Sequence, residues 1–119
     1  MLTHQQEEIL HLHACLLLQY QKPKSAFKIL KALLTHSPEY VEAKKSISLA
    51  ALDAGELDVT IVYCKELMRK LSDQKELAAI SLCLSKAYWK QGQAEQARKA
   101  YQKYLKYSAE MPDEESNAA

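Results

Sequence analysis

The 119-residue chain has the length of one domain with one hydrophobic core. Leu and Ala together number 34 against 11 for Val, Ile and Thr combined, and Gly and Pro add only 5, which excludes an all-β fold and argues against a Rossmann-type α/β fold. A net charge of +1 with neither sign clustered along the sequence argues against a nucleic-acid binder, whose basic residues gather on one face.

Helix signals follow in chain order. Thr3 followed by Gln6 is a capping-box pattern, opening a first helix that runs to about Tyr20. Pro23 sits where it opens a second helix, through Ala26, Phe27, Leu30, Leu33 and Leu34 to about His36. Ser37-Pro38 reads as a cap residue followed by proline at the first helical position, so the third helix starts there and stops before Gly55. The fourth covers Glu56 to about Leu71, with Ile61, Cys64, Leu67 and Met68 on one face. Ser72-Asp73 starts the fifth, which stops at Gly92, and the sixth covers about Gln93 to Ala109. Residues 1–111 thus form a single domain. Residues 112–119 (PDEESNAA) are polar and acidic with nothing to bury, and are expected to be a disordered tail.

Six helices with short connectors make three hairpins. They begin near Glu7, Val41 and Ala78, at spacings of 34 and 37 residues, the period of a tetratricopeptide repeat. In the third hairpin Leu84, Ser85, Tyr88, Gly92, Ala97, Tyr101 and Leu105 occupy the pattern's positions. The first supplies Leu10, Ala14, Leu17, Ala26, Leu30, Leu33 and Pro38, and the second Ile47, Ser48, Ala51, Gly55, Thr60, Cys64 and Leu67. In each, a small residue of the first helix (Ala14, Ser48, Ser85) faces a small one of the second (Ala26, Thr60, Ala97), which lets the backbones approach. His13 replaces an aliphatic, and three extra residues precede the third hairpin. The expected fold is all-α: three tetratricopeptide-like hairpins stacked into a short curved solenoid.

The first helix of each hairpin lines the concave face of such a stack. That places Glu8, His11, Leu12, Cys15 and Leu18 there, then Glu42, Lys45, Leu49 and Leu52, then Leu82, Cys83, Lys86, Trp89 and Lys90. The first helix is apolar nearly all round, more than its hairpin contacts require, so a further surface must cover it. The reading is a groove that receives an amphipathic helix from another chain, with Leu12, Cys15, Leu18, Leu49, Leu52, Leu82, Lys86 and Trp89 as contacts. A self-associating subunit, its groove filled by a second copy, is the competing reading.

No enzyme chemistry is visible. His11 and Cys15 share a helical face while His13 points away, and two ligands are too few for a structural metal site. The two glycines, Gly55 and Gly92, sit at hairpin turns, so no phosphate loop exists, and no nucleophile–base pair stands out. Tyr101, Tyr104 and Tyr107 are spaced to lie along the side of the last helix that packs on the fifth. The lysine and asparagine positions with which some repeats clamp a carboxylate terminus hold His11, Cys15, Ser46, Ala79 and Cys83 instead. Neither a catalytic residue nor a cofactor is expected. Three separated cysteines within apolar patterns read as free thiols in a reducing compartment. The opening MLTHQQEE lacks the basic start of a signal peptide, and the longest apolar run, Ala14 to Leu18, is far short of the ~20 residues of a membrane span. A soluble, cytoplasmic protein is expected.

The segments QQEEIL (Gln5–Leu10), ILKALLTHSPEY (Ile29–Tyr40), LCLSKA (Leu82–Ala87) and ARKAYQKYLKY (Ala97–Tyr107), in this order, resemble the YscY (SctY) family of type III secretion chaperones, over about Gln5 to Tyr107. The resemblance implies a bacterial cytosolic chaperone that binds the small secreted protein YscX (SctX). It also implies that the pair contacts the export gate of the secretion apparatus, and that the partner's helical C-terminal region wraps the chaperone. It assigns Leu18, Leu49, Leu52, Leu82 and Trp89 as partner contacts. A chaperone for translocator proteins is the alternative within the same system; those are longer, with extra N-terminal helices.

Overall fold

The computed structural model describes residues 2–110. The tail expected over 112–119 lies outside the described residues. Six helices follow one another: α1 (His4–Gln19), α2 (Pro23–His36), α3 (Val41–Ala54), α4 (Leu57–Lys70), α5 (Gln74–Lys90) and α6 (Ala94–Glu110). Each packs on its neighbours in sequence, and α3 also meets both α1 and α5, so the first helices of the three hairpins lie side by side. This is the all-α stack of tetratricopeptide-like hairpins.

Local signals explain several of the helix ends. The Thr3 hydroxyl accepts from the Gln6 backbone N–H at 3.1 Å while the Gln6 side chain accepts from the Thr3 N–H at 2.9 Å, closing the capping box. Asp73 caps α5 by accepting from the Glu76 N–H at 2.9 Å. Gly55 and Gly92 take φ values of +84° and +80° in the turns that close the second and third hairpins. The first hairpin has Gln21 at the same repeat position, at φ +61°, a conformation that costs a residue with a Cβ about 1–2 kcal/mol.

One boundary differs from expectation. Ser37-Pro38 does not open α3. Ser37 instead closes α2, donating its N–H to the Leu33 carbonyl at 2.8 Å, with φ −133° and ψ 72°. A residue before proline is pushed out of the helical region, which suits an exit from α2. A turn closed by the Tyr40 N–H on the Ser37 carbonyl follows, and α3 begins only at Val41. The three extra residues before the third hairpin become an additional first turn on α5, which is 17 residues long against 14 for α3.

The interior falls into two apolar clusters that share α3. Ala43, Ile47 and Ala50 join Ala14, Ala26, Leu30, Leu33 and Leu34 in the first; Leu52 joins Cys64, Leu67, Ile80, Leu84, Ala87 and Tyr88 in the second. The small-residue pairs sit where the pattern puts them, all six buried. Two are stitched as well: the Ser85 hydroxyl donates to the Ala97 carbonyl at 2.8 Å and the Thr60 hydroxyl to the Ser48 carbonyl at 3.4 Å. Beside the second hairpin's core, the buried ammonium of Lys44 lies 2.6 Å from the Glu66 carboxylate, joining α3 to α4.

Candidate functional site

The surface formed by α1, α3 and α5 is held in register by polar contacts between adjacent helices. His11 Nε2 and Ser46 Oγ share a hydrogen bond of 2.7 Å, and the Cys15 thiol lies 3.6 Å from His11 and 3.9 Å from Ser46, joining α1 to α3. These side chains find a hydroxyl as their partner, and among the described residues no cluster of three potential metal ligands forms. Lys45 of α3 bonds Glu42 on its own helix and Glu76 in the added turn of α5. Those hydrogen bonds, led by that of Glu76, raise the Lys45 pKa against the opposing effect of burial. Deeper, the Cys83 thiol donates to the Ser48 carbonyl at 3.5 Å. Its neighbour Cys64 has its pKa pushed up by a hydrogen bond with Cys83 and by burial, so it stays a thiol.

Between these stitches the surface is apolar and open. Leu12 of α1 is 60% exposed, Leu49 of α3 51% and Trp89 of α5 69%. Cys15, Leu18 and Leu82 are half-buried and Lys86 is exposed. Leu52 is different. At 6% exposure it belongs to the core around Leu67 and Tyr88, because α5 packs against the side of α3 that carries it. Cys83 is buried for the same reason. Neither offers surface to a ligand.

Leu82, Lys86 and Trp89 come together in one groove of about 580 Å³ between α5 and α6. Its other wall is Ala94, Ala97, Arg98 and Tyr101 of α6; the repeat pattern includes Ala97 and Tyr101 but assigns none of the four to a binding surface. Tyr101 was expected to pack on α5 with Tyr104 and Tyr107; it stands 44% exposed at the groove, its ring 5.4 Å from that of Tyr104. The repeat holds the signal for it. The residues four after the small site of the second helix in the earlier hairpins, Leu30 and Cys64, are buried in their clusters, and no further helix of the described residues covers Tyr101.

The same logic accounts for α1. Ala43, Ile47 and Ala50 in α3, and Ile80, Leu84 and Ala87 in α5, are buried. Their counterparts Ile9, His13 and Leu16 in α1 are exposed, with Leu12 and Tyr20 on the same side. The apolar surplus of the first helix is therefore an open stripe, with its other side in the core. No helix of the described residues is long and apolar enough to cross a membrane.

No protein-family profile matches the chain. It is 35% identical over 104 residues to the chaperone protein YscY of Yersinia enterocolitica, a span covering 87% of this chain and 89% of that protein. The match to YscY of Yersinia pestis has the same identity and coverage. An all-helical stack of three hairpins, an open apolar surface across its first helices and this likeness along most of its length agree, and the chain belongs to the YscY chaperone family.

Proposed function

We propose that the protein is a cytoplasmic type III secretion chaperone whose concave face holds an amphipathic helix of a small secreted, YscX-like partner. It keeps that partner soluble and export-competent and helps deliver it to the export gate. The task is binding rather than catalysis, and it needs no cofactor. The observation that carries this reading is the exposure of large apolar side chains, Leu12, Leu49 and Trp89, on three successive first helices of a chain in a chaperone family. Water exposure of such residues is unfavourable by about 25 cal/mol per Å², and covering them with a helix recovers it. Each is already part-covered, so each contributes roughly 1–2 kcal/mol before ordering costs. Cys15, Leu18, Leu82 and Lys86 complete the contact set; Leu52 supports the surface from beneath.

Co-expression with a YscX-like protein tests the reading. Leu49→Asp and Trp89→Ala each lower recovery of the partner on the tagged chaperone while circular dichroism stays helical. Unchanged recovery with both variants places binding elsewhere on the molecule and overturns the concave-face reading.

A further inference from the structure

The cations of this chain are spread along its sequence, but the fold gathers three of them around one apolar site. Lys86, Lys90 and Arg98 border the groove between α5 and α6, whose apolar walls are Leu82, Trp89 and Tyr101. No carboxylate lines it. Solvated lysines on a helix are ordinary; three cations with aromatic rings between them and no counter-charge in the lining are a binding preference. The other end of the concave surface differs: α1 contributes Glu8, 2.6 Å from His4, and no Lys or Arg. Between the two, Lys45 is already matched by Glu42 and Glu76.

A neutral apolar helix laid in the groove would strip water from the rim cations and give nothing back. Carboxylates flanking its apolar anchor replace that water and sit at the rim, where solvent screens each pair to a few-fold in affinity. We propose that the α5–α6 groove selects the acidic end of the partner's amphipathic helix. Its apolar anchor lies on Leu82, Trp89 and Tyr101, its carboxylates face Lys86, Lys90 and Arg98, and its end over α1 is free of acidic charge. This rests on the concave-face reading above and adds to it the partner's chemistry and its direction along the surface.

Two synthetic amphipathic peptides of about 16 residues test it, identical in their Leu face and differing only in Glu or Lys at the flanking positions. Trp89 is the chain's one tryptophan, so its emission reports occupancy of the groove. The chain's net charge of +1 gives neither peptide a sizeable global advantage. The Glu peptide is expected to shift Trp89 emission to the blue and to bind about 10-fold tighter than the Lys peptide at about 50 mM salt, with the gap closing to about 2–3-fold at 0.5 M. Lys86→Glu/Lys90→Glu/Arg98→Glu, all at exposed positions, reverses the order with unchanged circular dichroism. Equal affinities, a preference for Lys, or binding that leaves Trp89 emission unmoved overturns the proposal.

The chain's own acidic stretch, Asp113 to Glu115, has matching chemistry. If Asp113→Asn/Glu114→Gln/Glu115→Gln strengthens Glu-peptide binding and the triple rim reversal abolishes that gain, the chain fills its own groove and the proposal fails. A dimer in light scattering that the rim reversal dissolves overturns it in favour of a second copy. Partner recovery that survives Leu49→Asp and Trp89→Ala, with the peptide preference intact, rejects the concave-face reading alone. Loss of the preference with partner recovery still sensitive to those variants rejects this proposal alone.

Discussion

Glu66→Gln removes the counter-charge of a lysine that water does not reach. The Lys44 side chain is 3% exposed and its ammonium lies 2.6 Å from Glu66, whereas its second carboxylate, Glu39, is 3.6 Å away on an exposed side chain. The hydrogen bond to Lys44 holds the Glu66 carboxyl below the usual range, with the Lys44 and Lys70 charges adding to it, and the same contact raises Lys44. A depressed carboxyl contributes stability above the ordinary glutamate pKa of about 4.3 and loses it as pH falls through the lowered folded value; a raised lysine contributes below about 10.4 and loses it as pH climbs through the raised value. The pair is thus fully stabilising between about pH 5 and 10.

Breaking a buried pair costs about 3–5 kcal/mol; Glu39 and the partial exposure of Glu66 reduce this to about 2–3 kcal/mol. Lys44→Met removes the buried charge itself and leaves Glu66 with Lys70 at 3.4 Å, so its cost is about 1 kcal/mol or less. Urea unfolding followed at 222 nm reads both. At pH 7 the Glu66→Gln midpoint falls by about 2 M and the Lys44→Met midpoint by under about 1 M. At pH 3 the gap between wild type and Glu66→Gln shrinks, because the wild-type carboxyl is itself taking up protons. A Glu66→Gln midpoint within error of wild type at pH 7, or a Lys44→Met variant less stable than Glu66→Gln, refutes the reasoning.

Other expectations concern the turns and the close helix pairs. Gln21→Gly relieves a positive φ and raises stability by about 0.5–1 kcal/mol, whereas Gly55→Ala, at φ +84° with open space around a Cβ, lowers it by about 1 kcal/mol; thermal melts of the two should move in opposite directions. Ala14→Leu forces extra methylenes into the α1–α2 contact, where Ala14 and Ala26 are fully buried, and costs about 1–3 kcal/mol by urea unfolding.

The hairpin architecture is legible in the sequence because its determinants are local. A capping box at Thr3, small residues at fixed offsets and glycine at two of three turns each act within a few residues of where they are read. The start of α3 is not legible in that way. Ser37-Pro38 carries a valid start signal and an equally valid stop signal, and the choice depends on Tyr40, which packs against the first core cluster. The exposed candidate surface is legible only in part. Leu49 and Lys86, at one repeat position, follow from helix-face arithmetic, since they face where no helix of the repeat lies. Leu12 and Trp89 share the repeat positions of the buried Cys83 and Leu52 and are exposed because no described helix stacks outside α1 or α5 there. Leu52 and Cys83 lie at the edge of that face, and the approach of α5 to α3 buries them. The α6 wall, with Arg98 and Tyr101, emerges only from knowing which helix lies last in the stack.

Cross-linking position by position reads the binding face directly. A benzophenone side chain placed at Leu49, half exposed on α3, is expected to capture the co-expressed YscX-like partner on irradiation, and one placed at Val62, 63% exposed on α4, is expected to leave it free. Capture from Val62 with none from Leu49 contradicts a concave binding face.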